Sequence, residues 1–543
     1  MSRYFAGTGD LLRLALRRDR IQLPLWILGL TLVQTATASS ISGLYETEKD
    51  RIAAQTSAAD NPASLVFSGL VSGSSEGATA MTQSLLLVLV AAALMSTLAV
   101  VRHTRQNEEL GRSELIGSTA VGRHAALTAG LLLAVLANVV LAVVSALGLA
   151  SAGLPLGSSF AAGAAIGAVG VSFAGVAAIT AQIWESARAA NGAAAAVLGV
   201  AFMLRAVGDV AGRTTGGGPR VESAWPSWLS PIGWGQQMRP FDQDRWWVLA
   251  LPLAAFAVQV GVAFALTRIR DVGMGMRAVR PRSPEAAPAL LSPIGLAWFL
   301  HRGTLAGWAV GVSVMGFAFG VVGDEINDLI GDSERTADII QQLGGTGSLL
   351  DAYLSATIGL MGLAVAGFAV QALNRMRHEE ISGGMETVLS TSTSRFSWMT
   401  GHLVVTLAGV TVLMLLTGIS AAVGYGVATG DMGAEFGSLA AAALVRLPAV
   451  LVLAAFAVLA FGSLPRLAIG LPWAAFAICL LISQIGSTLD LPQAVMDISP
   501  FSHVPGLPGG DFTVGPLLVL LAITAALTAA GTALFRRRDL ALQ

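Results

Sequence analysis

Lysine is almost missing from this chain: Lys49 is the only one among 32 basic residues in 543. A phosphate-binding P-loop, G-x-x-x-x-G-K-[ST], needs a lysine to reach the terminal phosphates. Lys49 stands in Tyr45-Glu46-Thr47-Glu48-Lys49-Asp50, with no glycine run before it. That excludes a Walker-type ATPase site within the chain, so no cofactor is expected in it. Cysteine is equally scarce. The single Cys479 cannot form an internal disulfide, and no cysteine metal cluster is available. The six histidines (His103, His124, His301, His378, His402 and His503) are too scattered to suggest a metal site. Charge is short as well. Charged residues make up 12% of the chain, against roughly 25% in soluble domains, and a net charge of -1 offers nothing to attract nucleic acid. What is abundant is apolar surface, at 54% of residues with a mean hydropathy of +0.70. A water-soluble fold cannot hide that much, so the chain is read as an all-α integral membrane protein.

A membrane-crossing helix needs about 20 mostly apolar residues. Twelve such spans are expected, near 21–44, 81–101, 124–149, 157–184, 189–210, 246–267, 296–321, 353–373, 397–428, 437–461, 467–488 and 515–535. Residues 1–20 carry five arginines and an amphipathic Leu11-Leu12-Arg13-Leu14-Ala15-Leu16-Arg17 stretch, which predicts a helix lying on the membrane surface. With a cytoplasmic N-terminus, 23 basic residues fall on the inner side and 7 outside, Arg205 and Arg446 lying within spans. The positive-inside bias therefore places both termini in the cytoplasm, in a bacterial inner (plasma) membrane. Outside, 45–80 and 322–352 are acidic, and 211–245 holds Gly216-Gly217-Gly218 followed by Trp225, Trp228 and Trp234, expected at the outer interface.

The chain also repeats itself. Residues 105–123 align without a gap on 377–395 through Arg105/Arg377, Glu108/Glu380, Gly111/Gly383, Glu114/Glu386, Ser118/Ser390, Thr119/Thr391 and Arg123/Arg395. Arg20, Trp26 and Gly29 answer Arg302, Trp308 and Gly311; Ser230-Pro231 answers Ser499-Pro500; Arg268-x-Arg270-Asp271 answers Arg536-x-Arg538-Asp539. The expected organisation is a first six-span domain at 1–271, a proline-rich cytoplasmic linker at 272–294 and a second six-span domain at 295–543, as a parallel repeat.

The inner segment between the second and third spans of each half carries the most information. Gln106 to Ser118 is too polar to insert and rich in helix formers, so a short helix along the cytoplasmic face is expected, with Glu108 and Arg112 spaced to pair on it. A solvated loop has no physical reason to keep the same charges twice; a helix seated in a partner's cleft does. The pattern Arg105-x-x-Glu108-Glu109-x-Gly111-Arg112-x-Glu114-Leu115, closing at Arg123, resembles the coupling-helix signature of ABC exporter permeases of the second type. Its second copy is Arg377-His378-Glu379-Glu380, Gly383, Glu386 and Arg395. The run Arg188-Ala189-Ala190-Asn191-Gly192, continuing to Leu204-Arg205-Ala206-Val207-Gly208-Asp209, resembles actinobacterial exporters of polyketide or ionophore antibiotics, the tetronasin-exporter type. The resemblance implies two copies of a separate nucleotide-binding ATPase subunit, which would hold ATP and Mg and dock on 106–118 and 378–390. It also implies export of hydrophobic or amphipathic small molecules from the bilayer or cytoplasm. Most such permeases carry one six-span domain and dimerise, whereas here both are fused.

The alternative is a proton-coupled facilitator-type drug exporter, which also has twelve spans in parallel halves. Such a pump needs titratable carboxylates inside its spans. The 33 acidic residues fall in loops or at span ends, Asp209 coming closest to an exception and standing one turn from Arg205. Arg446 is the one candidate for the substrate pathway, with a bond to a facing helix carbonyl as its structural alternative. The four-residue spacings Gly163/Gly167 and Gly303/Gly307/Gly311 are expected to let helices pack closely.

Overall fold

The computed structural model describes residues 2–45, 47–117, 119–214, 219–270, 275–276, 285–324, 349–431, 433, 436–485 and 492–539. Most of the expected linker, Gly216 to Gly218, Ser118 and most of the acidic segment at 322–352 lie outside the described residues. The chain divides into two compact units, Met1–Pro281 and Arg282–Gln543.

Eleven helices among the described residues are long and apolar enough to cross a membrane, which makes the chain a multi-pass helical membrane protein. In the first unit the surface helix α1 (Thr8–Arg18) precedes α2 (Gln22–Leu44). Outside the bilayer-length helices come α3 (Glu48–Asp60), opened by a Thr47/Asp50 capping box, and α4 (Pro62–Phe67), capped by Asn61. The second long helix, α5 (Glu76–His103), runs on into the short α6 (Arg105–Glu109) and α7 (Arg112–Gly117). Then follow α8 (Ala125–Ser151), α9 (Leu156–Ile183), α10 (Ala187–Val210), the short α11 (Pro231–Gln237) and α12 (Ala250–Ile269). The only strands described are a two-residue antiparallel pair, Arg213–Thr214 with Val221–Glu222.

Close packing in this unit runs along α8 and α9. A Cβ at Gly163 would collide with the Ala142 carbonyl oxygen, and one at Gly167 would sit 3.0 Å from the Asn138 carbonyl oxygen. The expected small-residue contact is therefore present there. Asn138, fully buried beside it, donates to Ser96 Oγ at 2.7 Å and to the Ala134 carbonyl at 2.8 Å.

The second unit holds α13 (Pro293–Asp324), α14 (Leu349–Ile381), the short α15 (Gly384–Leu389) and α16 (Arg395–Thr429). It continues with α17 (Phe436–Val445), α18 (Leu447–Ser463), α19 (Gly470–Ile485), α20 (Gln493–Met496) and α21 (Val514–Arg537). Three expectations change here. The span expected at 467–488 is a helix of 16 residues, shorter than the rest. The span at 437–461 is present as Phe436–Ser463 but is interrupted at Arg446, because Pro448 at the second position of α18 has no N–H to continue α17. Gly303, Gly307 and Gly311 meet no described atom within 4 Å of an added Cβ; they line an open groove beside Trp308 and Met315 instead of a tight helix contact.

Candidate functional site

The segments singled out by the repeat fold into the same small network twice, once in each unit. In the first, Arg105 is 1% exposed. Its Nε and Nη2 donate to the Ala181 carbonyl at 2.9 and 2.7 Å, and its Nη1 donates to Glu108 Oε2 at 2.7 Å. Arg270, just past the end of α12, grips the same carboxylate with both terminal nitrogens, each at 2.7 Å. Arg123, ahead of α8, donates to the Arg270 carbonyl at 2.7 Å. One carboxylate thus ties the end of α5 to the end of α12, and an arginine at the foot of α8 closes the ring.

In the second unit Arg377 Nη1 stands 2.7 Å from Glu380 Oε2, an ion pair and not an aligned hydrogen bond. Arg538 Nη2 donates to Glu380 Oε1 at 2.6 Å, and Arg395 Nη1 donates to the Arg538 carbonyl at 2.7 Å. Arg538 also donates to the Phe461 carbonyl at 3.0 Å, its guanidinium 5.1 Å from that ring. Bidentate or doubly bonded carboxylates in part-buried settings are strong and directional. In both units they hold helix ends in a fixed geometry.

The remaining marked residues surround these clamps. Gly111 and Gly383 both adopt left-handed backbone, at φ +69 and +76, a conformation costly for any side chain, which explains why glycine recurs at this point. Each glycine separates the clamp from a six-residue helix, α7 or α15, whose exposed Glu114 or Glu386 sits in the favourable first turn. Glu109 accepts from the Ala187 N–H at 3.0 Å and so caps α10 from outside it. Glu379 pairs with Arg375 at 3.3 Å. The expected Glu108–Arg112 pairing does not form. The helix stops at Gly111, which breaks the four-residue register, and the Glu108 carboxylate turns to Arg105 and Arg270. Leu110 and Ile381, 54% and 52% exposed, stand at the ends of the clamp helices as apolar contacts left open.

Each unit holds one further polar cluster. Asp19, 2% exposed between α1 and α2, accepts from Arg102 at 3.0 Å and shares a 2.8 Å hydrogen bond with His103 Nε2. Burial alone would raise its carboxyl; the hydrogen bonds and charges of His103 and Arg102 outweigh that and hold it below the ordinary carboxylate range. In the second unit His301 Nε2 and His402 Nδ1 stand 3.0 Å apart, both buried, with Trp398 packed on His402. Neither histidine is marked by spacing, since 101 residues separate them.

Arg446 donates to the Ser355 carbonyl at 2.7 Å and to its hydroxyl at 3.1 Å, over Gly359 and Gly362. The bond to a facing helix carbonyl, named as its structural alternative, is therefore present. Arg205 pairs with Asp209 at 3.3 Å as expected, both side chains fully buried. The same Nη1 also donates to the Leu65 carbonyl at 2.7 Å, and Nη2 donates to the Val66 carbonyl, so the pair staples α10 to α4.

Set beside known proteins, the second unit is matched from residue 290 to 536 by the family model described as the multidrug efflux system permease Rv1217c, C-terminal domain. Over 537 residues the chain is 41% identical to the multidrug efflux system permease protein Rv1217c of Mycobacterium tuberculosis, a match covering 98% of this chain and 95% of that protein. At that identity over nearly its whole length, the chain belongs to the multidrug efflux system permease family.

Proposed function

We propose that this chain is the permease subunit of an ATP-binding-cassette exporter of the second type, moving hydrophobic or amphipathic compounds, antibiotics of the polyketide or ionophore kind among them, out of the cell. In this reading twelve spans form two six-span halves of one orientation, with both termini in the cytoplasm. A separate ATPase subunit docks twice, on α6–α7 and on α15 with the end of α14, and ATP and Mg belong to that partner. The observation that carries the reading is the duplicated clamp: each copy fastens a short exposed helix to the ends of the spans, as a mechanical input from outside the membrane requires. Glu108 and Glu380 then act as internal fasteners, and the partner would meet the exposed Leu110, Glu114, Ile381 and Glu386.

The spans also speak against proton coupling. Among the described residues the buried carboxylate within a long helix, Asp209, is held by Arg205. The test is drug uptake into inverted vesicles carrying the chain and its ATPase. Uptake is expected to require ATP and to persist when an uncoupler collapses the proton gradient. Loss of uptake on uncoupling, at constant ATP, would transfer the assignment to a proton-driven exporter.

A further inference from the structure

A cavity of about 730 Å³ opens in the first unit where the ends of α5 and α12, the start of α8 and the surface helix α1 converge. Its wall is divided by chemistry. Leu11, Leu14 and Ala15 of α1 face Leu127 and Ala126 of α8 across an apolar side. Four arginines, Arg18, Arg112, Arg123 and Arg270, line it, and among the described residues Glu108 is the one carboxylate in its wall. That carboxylate is already gripped by Arg105 and Arg270.

The other three arginines have no carboxylate of their own in hydrogen-bond contact among the described residues. Arg18 donates to the neutral Asn107 amide oxygen at 2.9 Å, and Arg123 to a backbone carbonyl. Among the described residues none of Arg18, Arg112 and Arg123 forms an ion pair. Burial, then the like charges of Arg112 and Arg102, lower the pKa of Arg18, and the nearby Asp19, itself bound to Arg102 and His103, only partly offsets them. Gln182 adds a second polar demand: it is 3% exposed, lines the cavity, and its Oε1 has no hydrogen-bond partner among the described residues.

Like charges gathered beside an apolar wall, at the level where spans end, fit a ligand with the opposite layout: one anionic group, a hydrogen-bond donor near it, and a hydrocarbon tail. We infer that this cavity binds an acidic phospholipid, its phosphodiester on Arg18, Arg112 and Arg123, a headgroup hydroxyl donating to Gln182, and an acyl chain along Leu11, Leu14 and Leu127. The lipid then joins α1 to the first clamp, since Glu108 and Arg270 form part of the same wall. This inference needs the membrane assignment only, and it stands or falls independently of the ATPase partner.

The test uses the full chain, purified in detergent and stripped of lipid. Phosphatidylglycerol and phosphatidylcholine of matched acyl chains are titrated separately, with native mass spectrometry for adducts and thermal unfolding for stabilisation. Wild type is expected to bind phosphatidylglycerol at least tenfold more tightly. The doubly exchanged R18Q/R112Q chain is expected to lose roughly tenfold or more of that affinity, at about one unit of charge attraction per arginine. R18K/R112K, which keeps the charge, is expected to retain most of it. A126F, which fills the cavity and leaves every arginine in place, is expected to lose the preference too, so that a charge effect spread over the surface is distinguished from this site. Equal binding of the two lipids, unchanged preference in R18Q/R112Q or A126F, or equal stabilisation by inorganic phosphate alone would each overturn the assignment.

Discussion

Replacing Glu108 with glutamine tests the clamp with little change in volume. The carboxylate is 16% exposed, and its partner Arg270 is 6% exposed and bonds to both of its oxygens. Arg105 would keep the Ala181 carbonyl, but Arg270 would lose its bidentate partner and face the Arg105 guanidinium. Removing one member of a buried ion pair costs about 3–5 kcal/mol. The carbonyl retained by Arg105 and the partial opening of Glu108 put this case near the lower end, about 3 kcal/mol. Hydrogen exchange on the detergent-solubilised chain should report the loss locally. Amides of 105–117 and of the last turn of α12 are expected to exchange roughly a hundredfold faster, since about 1.4 kcal/mol corresponds to tenfold. The thermal midpoint should fall with them. E114Q, on the exposed face of α7, serves as the control and should change stability by less than about 0.5 kcal/mol. The double exchange E108Q/R270Q should cost less than the two single costs added, because it leaves no unpaired Arg270. If E108Q exchanged at the wild-type rate in both segments, the carboxylate would not be fastening α5 to α12 and the mechanical argument would fail.

Three other outcomes follow from the same geometry. D19N should destabilise the first unit by about 3 kcal/mol at neutral pH. Because the folded-state carboxyl lies below its ordinary value of about 3.9, that contribution is complete above this pH and fades as pH falls through the lower folded value; the gap between wild-type and D19N unfolding midpoints should close only in strong acid. G111A and G383A should each cost about 1–2 kcal/mol, the strain of placing a side chain in left-handed backbone, measurable as faster exchange confined to α7 or α15. R446M should keep transport and lie within about 1.5 kcal/mol of wild type, as volume is preserved and a buried charge removed. R446A should cost about 2–5 kcal/mol through the cavity it leaves. Loss of transport in R446M at normal stability would show that the guanidinium serves the substrate.

Hydropathy located the spans well because a membrane helix is a property of one continuous segment. Where a single residue interrupts the segment, the reading weakens: averaged over a window, Arg446-Leu447-Pro448 looks like one span, although the proline ends one helix and begins another. The clamp was legible in part. Arg105, Glu108, Arg123 and their counterparts stood out because the same charges recur at the same spacing. Arg270 and Arg538 were visible only as echoes marking the repeat; they close the site from 162 and 158 residues away. No local rule joins residues so distant, which is also why Glu108 was paired with the nearer Arg112. The His301–His402 contact was hidden for the same reason. A clue existed nonetheless: Arg20 answers Arg302, so Asp19 answers His301, and in the first unit that place already holds a charged cluster with the end of α5.

The left-handed glycines divide each of these segments into two parts with different obligations. On one side, Arg105 to Glu109 must match the arginines that receive it, and a change there disturbs the membrane helices directly. On the other, α7 follows a residue with no side chain, and its exposed Glu114 makes no contact with the clamp among the described residues, so that part of its surface can be rewritten at little cost to the bundle. The two halves of the chain illustrate such drift: beyond the glycine, Arg112-Ser113-Glu114-Leu115 stands opposite Gly384-Met385-Glu386-Thr387, with one residue in common. A body seated on both short helices would therefore meet two unlike surfaces, and two identical copies of it would be held by unequal grips.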